Sequence, residues 1–86
     1  MSARILVVDD HRDLARGVAL VLAKLSSDIR LAHSAEEALD LLGQRPADLV
    51  LSDIRMPGRD GLSLLDCVRE RWPDARVILF TAYGTI

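Results

Sequence analysis

The sequence predicts an α/β protein with a doubly wound parallel sheet. Short, continuous apolar runs alternate with longer segments whose apolar residues recur every three or four positions, so that a strand precedes a helix three times before a fourth strand. Continuous apolar runs are typical of strands buried on both faces, and this alternation places helices on both sides of a parallel sheet. The 86 residues allow one domain at most.

The first strand–helix unit begins with residues 5–8, an apolar run that leads into two aspartates. Residues 13–25 have the helical period, and we expect a helix there with one apolar face. The residues that line this face are Leu14, Val18, Val21, Leu22 and Leu25.

The second unit begins with a short strand at residues 29–32. Ser34 and Glu37 match the S-x-x-E capping box, in which the two residues satisfy the first amides of a helix, so we expect a helix to begin there. We expect Gly43 to end this helix, because glycine readily adopts the left-handed conformation common at helix C-termini.

The third unit begins with residues 49–51, a buried strand that leads through a serine to Asp53 and then to the turn-rich stretch RMPGRDG. Residues 62–71 form the third helix, which Pro73 ends because proline cannot continue the hydrogen-bond ladder. Residues 77–80 form the fourth strand.

Composition narrows the class of protein. Half of the residues are hydrophobic and 28% are charged, which is typical of a globular domain. The net charge of −2 predicts no general attraction to nucleic acid or anionic lipid. No apolar run approaches the roughly 20 residues that span a membrane, and no signal peptide is apparent. Together with the single cysteine, Cys67, these features favour a cytoplasmic protein.

Three carboxylates follow apolar strands. Asp9 and Asp10 follow the first strand and Asp53 the third. If the strand order is 2-1-3-4, these strands are neighbours and the three side chains converge at the carboxyl edge of the sheet, where doubly wound folds bind ligands. Like charges this close repel unless a cation joins them, and hard oxygen donors suit Mg²⁺. We therefore expect a magnesium site.

A simpler interpretation treats these aspartates as solvated strand ends, with Asp10 or Asp13 capping the first helix. Aspartates at the ends of two apolar strands favour the metal site instead. His11 follows the acidic pair, but His33 lies beyond strand two and is not at ligand spacing, so we expect neither histidine to bind the metal.

Three stretches, ILVVDD, DLVLSDIRMPGRDGLSLL and VILFTAYG, resemble the receiver domain of two-component response regulators. The resemblance extends over nearly the whole chain. It implies a flavodoxin-like fold with strand order 2-1-3-4 and no enzyme activity beyond self-phosphorylation. The stretch FTAYGTI most resembles receivers of nitrogen-regulator-type enhancer-binding activators.

The resemblance also implies roles for single residues. It makes Asp53 the phosphoacceptor, and it makes Asp9, Asp10 and Asp53, with the backbone carbonyl of Arg55, the Mg²⁺ ligands. A further part of the family pattern lies at the end of strand four.

There, Thr81 matches the hydroxyl that turns toward the phosphoryl group, and the backbone amide of Ala82 matches a donor to the same oxygens. The expected partner is a sensor histidine kinase. The expected output is transcriptional, with DNA bound only through another domain.

Residues 1–86 correspond to about three and a half strand–helix units of a receiver, so we expect a truncated receiver that lacks the final αβα portion. No lysine follows Lys24 to serve as the family's active-site lysine. An uncovered sheet face and an open edge at strand four predict self-association.

Three alternatives compete with phosphotransfer. A receiver fragment could act only as a structural or oligomerising module. A phosphatase with an aspartate nucleophile would need a D-x-D pattern, which DDHRD does not provide. A flavin or nucleotide binder would need a phosphate-binding loop after strand one, where the acids would repel phosphate.

Overall fold

The computed structural model describes residues 3–81, which form four parallel strands and three helices. The strand order is β2-β1-β3-β4, as predicted. The elements are β1 (Arg4–Val8), α1 (Arg12–Leu22), β2 (Asp28–Ala32), α2 (Ala35–Gln44), β3 (Leu49–Asp53), α3 (Gly61–Arg71) and β4 (Arg76–Phe80).

The register of the sheet aligns the carboxyl ends of the two central strands. Val8 of β1 pairs with Ser52 of β3, so Asp9 and Asp53 are the next residues on adjacent strands. Asp53 in turn pairs with Phe80 of β4. This register places the residues that follow β1, β3 and β4 at one edge of the sheet.

The helices lie on both sides of the sheet, as a doubly wound fold requires. Leu6 and Val8 of β1 face the larger core, which includes residues of α2 and α3, whereas Ile5 and Val7 face a smaller core with Ala15 of α1. Among the described residues, the larger core has eleven buried members and the smaller one three. The α1 side of the sheet is therefore the less covered side.

Helix α1 is shorter than predicted and buries different residues. It ends at Leu22 rather than at Leu25, because the chain turns at Ala23–Leu25 before β2. Its fully buried residue is Ala15, with Val18 and Leu22 packed at the edge of the core. The other predicted face residues are exposed: Leu14, Val21 and Leu25.

The prediction that Gly43 ends α2 is wrong. The helix continues through Gln44, and among the described residues a positive φ occurs only at Gly58. Arg30 of β2 donates to the carbonyl oxygens of Leu41 (2.9 Å) and Arg45 (2.7 Å). A guanidinium of β2 thus contacts the end of α2, where the Leu41 oxygen also accepts the backbone amide of Arg45.

Two helices have side-chain caps at their N-termini. Ser34 Oγ accepts the Glu37 amide at 3.0 Å, and the Glu37 carboxylate accepts the amide of His33, one residue before the expected capping-box partner. Asp60 caps α3 through the Ser63 amide at 2.9 Å. By contrast, His11 occupies the N-cap of α1 without a side-chain cap, so neither Asp10 nor Asp13 has that role.

The helices within residues 3–81 lack the length and hydropathy that spanning a membrane requires.

Candidate functional site

The carboxyl edge of the sheet brings together the three predicted aspartates. Ligand atoms of Asp9, Asp10, Asp53 and His11 all lie within 4.8 Å of one another. The predicted convergence of the carboxylates is therefore present, and it follows from the adjacency of β1 and β3.

Asp53 is a buried carboxylate with one oxygen unsatisfied. Its side chain is fully buried, Oδ1 accepts the Arg55 amide at 3.2 Å, and Oδ2 has no hydrogen-bond partner. Burial raises the pKa of Asp53, the Arg55 amide opposes that rise, and the charges of Asp9 and Asp10 add to it. The site holds a charge that its protein surroundings do not neutralise.

The acidic pair, Asp9 and Asp10, also has carboxylate oxygens that receive no hydrogen bond. Asp9 is fully buried, and its Oδ1 accepts the backbone amide of His11 at 2.9 Å. Asp9 Oδ2 and Asp10 Oδ1 are buried without hydrogen-bond partners. Unsatisfied buried carboxylate oxygens are costly, and several of them facing one point fit a hard divalent cation such as Mg²⁺.

Both histidines contact the acidic pair. His11 Nδ1 is 3.5 Å from Asp9 Oδ1 and 3.5 Å from Asp10 Oδ1. His33 Nδ1 lies 3.0 Å from the backbone oxygen of Asp9. His33 follows β2, which ends at the same edge of the sheet as β1, since Ala32 pairs with Val8. The sequence did not indicate this contact with the Asp9 backbone.

The loop after β3 is held against the sheet by backbone contacts. The Ile54 amide donates to the Phe80 oxygen and the Gly61 amide to the Ile54 oxygen, each at 2.8 Å. Gly58 has a φ of 74°, which favours glycine. The loop lines one wall of an open cavity of about 520 Å³ beside the acidic cluster, whose lining includes His11, Ile54, Arg55, Met56, Pro57 and Asp60.

The remaining site predictions concern the loops. Thr81 is exposed and follows Phe80, the β4 residue paired with Asp53, so it lies at the same edge of the sheet. The backbone of Arg55 follows Asp53 closely, and the role of its carbonyl stays a prediction. Ala82 lies outside the described residues. Sequence reasoning missed the Asp60 cap and the close approach of Gly61 to the backbone of Asp53.

Comparison with known proteins shows the family of this chain. Residues 5–86 match the family described as the response regulator receiver domain. The chain is 40% identical over 86 residues to the response regulator protein FleR and 37% identical over 81 residues to the response regulator protein PilR, both of Pseudomonas aeruginosa. The match to FleR includes 100% of this chain and the match to PilR includes 94% of it. This chain spans only 18% of the length of each relative.

Solved structures show the same fold. The response regulator TrrA of Thermotoga maritima, in complex with Mg²⁺ and BeF, superposes with a TM-score of 0.88 and 39% identity, covering 95% of this chain and 71% of that one. The receiver domain of NtrX from Brucella abortus gives a TM-score of 0.81 and 38% identity, with 87% and 64% covered. The chain therefore belongs to the response regulator receiver domain family.

Proposed function

We propose that Asp53 accepts a phosphoryl group from a phosphohistidine of a sensor histidine kinase, in a site that binds Mg²⁺. The observation that carries this proposal is the Asp53 carboxylate, which is buried among the other carboxylates with Oδ2 unsatisfied. A nucleophile needs a free lone pair, and Oδ2 has one. The residues that follow Asp53, from Ile54 to Pro57, line an open cavity.

In this reaction a carboxylate oxygen of Asp53 forms a bond to phosphorus while the bond from phosphorus to the imidazole nitrogen of the donor breaks. The electron pair of the broken bond stays on that nitrogen, and the product is an acyl phosphate. The Arg55 amide holds Oδ1, which leaves Oδ2 as the attacking atom. Mg²⁺, when bound, neutralises the charge that collects on the phosphoryl oxygens.

Asp9, Asp10 and Asp53, with the backbone carbonyl of Arg55, are the proposed Mg²⁺ ligands. The unsatisfied oxygens of Asp9 and Asp10 support this assignment. TrrA, a relative of the same fold, was crystallised with Mg²⁺ and BeF.

The proposed signal is a change at the end of β4. The Thr81 hydroxyl and the Ala82 backbone amide are the groups that would respond to the phosphoryl oxygens, a local electrostatic change that biases a two-state element. We further propose a cytoplasmic regulator whose output is transcriptional and whose DNA contacts belong to another domain. The chain covers 18% of FleR and of PilR, so the transcriptional output is proposed only from the similarity to these relatives.

The test is mass spectrometry of the purified protein after incubation with acetyl phosphate and Mg²⁺. Wild type should gain about 80 Da, the mass of one phosphoryl group, and Asp53→Asn should gain nothing. Asp48→Asn is the matched control, because Asp48 lies at the opposite edge of the sheet, where it accepts the Arg4 amide. An equal gain in the Asp53→Asn protein would overturn the assignment.

A second candidate function is self-association without phosphotransfer, with a second copy of this chain as partner. It is favoured by apolar side chains that remain exposed on the α1 side of the sheet. Val21 is 68% exposed, Leu25 is 78% exposed, and Ile78 of the edge strand β4 is 50% exposed. Apolar surface beside an open strand edge favours pairing between copies.

A further inference from the structure

We infer that His11 is a nitrogen ligand in the acidic site, which raises the affinity of this site for borderline divalent transition metals such as Ni²⁺. The inference rests on the metal site of the proposed function and adds an imidazole to its three carboxylates. An all-carboxylate site and a site with an imidazole differ in the metals that they prefer, because imidazole suits Ni²⁺, Zn²⁺ and Cu²⁺ far better than Mg²⁺.

The position of the imidazole supports this role. His11 Nδ1 lies 3.5 Å from one oxygen of Asp9 and 3.5 Å from one oxygen of Asp10. The ligand atoms of all four side chains lie within 4.8 Å of one another. Opposite donors of an octahedral ion with bonds of about 2.1 Å are about 4.2 Å apart, so small side-chain rotations close the set around one ion.

The local backbone fixes His11 in this place. Its amide donates to Asp9 Oδ1 at 2.9 Å, and the residue occupies the N-cap of α1 with an extended backbone. The side chain makes no cap hydrogen bond to the helix, so capping does not explain its orientation. It lines the cavity and is 47% exposed, which leaves it open to an ion arriving from solvent.

The acidic partners supply an independent indication of a missing cation. Asp9 and Asp53 are fully buried, and each has one oxygen without a hydrogen-bond partner. Asp10 Oδ1, which also lacks a hydrogen-bond partner, lies 3.5 Å from the His11 nitrogen. The carboxylates and the imidazole thus form a mixed donor set. Nitrogen and oxygen donors bind divalent metals in the order of the Irving–Williams series, with Ni²⁺ above Mn²⁺, and imidazole suits Ni²⁺ whereas carboxylates suit Mg²⁺.

Calorimetric titration of the purified protein with Ni²⁺ and, separately, with Mg²⁺ tests the inference in wild type and in His11→Gln. We expect His11→Gln to weaken Ni²⁺ binding by about tenfold or more. We expect its Mg²⁺ affinity to fall by a smaller factor than its Ni²⁺ affinity, because Mg²⁺ prefers oxygen ligands. His33→Gln is the matched control and should keep wild-type Ni²⁺ affinity, since the contact from His33 is to the Asp9 backbone.

Pulsed electron paramagnetic resonance of the Mn²⁺-loaded protein gives a second readout. An imidazole nitrogen coupling should appear in wild type and in His33→Gln, and it should be absent from His11→Gln. Ni²⁺ affinity and nitrogen coupling that survive in His11→Gln would overturn the inference, even where Mg²⁺ binds normally. Ni²⁺ binding that depends on His11 in a protein without measurable Mg²⁺ affinity would support the inference and count against the proposed Mg²⁺ site.

Discussion

A β-carbon on Gly61 would overlap the backbone carbonyl oxygen of Asp53 and lie 2.9 Å from the α-carbon of Ile54. The first residue of α3 therefore packs directly on the backbone of the candidate phosphoacceptor. The Gly61 amide also donates to the Ile54 oxygen at 2.8 Å, which joins the start of α3 to the loop after β3. Only glycine fits this approach, since backbone atoms cannot move aside as a flexible side chain could.

Gly61→Ala should destabilise the fold by about 1–3 kcal/mol, the usual effect of overpacking, and should displace Asp53. Gly43→Ala is the control: this glycine lies inside α2 with open space around it, so alanine should stabilise by up to about 1 kcal/mol. Urea unfolding of both variants measures the difference. Equal stability of Gly61→Ala and wild type would show that the contact is looser than the structure indicates.

Asp53→Asn should make the protein more stable than wild type at neutral pH when divalent cations are removed. The pKa of Asp53 is raised, chiefly by burial, so the ionised side chain destabilises the fold above that pKa. The destabilisation is relieved as pH falls through the folded pKa toward the ordinary value of 3.8. Asparagine carries no charge but retains an oxygen for the Arg55 amide.

Thermal unfolding of both proteins in a chelator, from neutral to acidic pH, measures this effect. The gain of Asp53→Asn over wild type should shrink as pH falls. A gain that is constant with pH would point to packing rather than to charge.

The ion pair of Asp28 and Arg45 should stabilise the fold with the opposite dependence on pH. Arg45 Nη2 donates to Asp28 Oδ1 at 2.8 Å, and this hydrogen bond is the main reason that the pKa of Asp28 lies below 3.8. A lowered pKa gives stability that is present above 3.8 and lost as pH falls through the folded pKa.

Acid unfolding of Asp28→Asn, Arg45→Gln and the double variant measures this pair. Each single variant should be less sensitive to acid than wild type, by the amount that the ion pair contributes. The double variant should have the same acid sensitivity as either single variant. Independent, additive effects would mean that the two side chains do not act as a pair.

Val21→Lys with Leu25→Lys should convert self-associating protein to monomer. Both side chains are exposed on the α1 side of the sheet, and lysine there opposes burial against a second copy. Leu62→Lys is the matched control, because Leu62 is 53% exposed but lies on α3, on the other side of the sheet. Sedimentation equilibrium measures the result; a wild-type monomer at all concentrations would contradict the proposed association.

The strand–helix alternation was predictable from the sequence, since apolar period and element length are local properties. The strand order 2-1-3-4 followed from the resemblance to the receiver family, and the structure has that order. The convergence of Asp9, Asp10 and Asp53 was predictable too, because aspartates that follow neighbouring parallel strands must meet at one edge. The roles of Asp53, Thr81 and Ala82 came from a resemblance and stay predictions until the phosphorylation experiment is done.

Helix ends were less predictable, because they depend on partners distant in the sequence. Gly43 had the residue type of a C-cap, but α2 continues through Gln44, and Arg30 of β2 bonds the carbonyl oxygens of Leu41 and Arg45 at its end. In α1, the apolar period did not distinguish Ala15, which the sheet buries, from Leu25, which remains exposed.

The sequence by itself therefore determined which segments alternate and which acids share an edge, because both follow from the local pattern and the polarity of a parallel sheet. Only the tertiary structure decided that His33 lies beside those acids and that Gly61 packs on the Asp53 backbone. These contacts depend on the exact approach of loops and helices to the sheet, and distances of a few ångströms across separate elements leave no periodic signal in the chain.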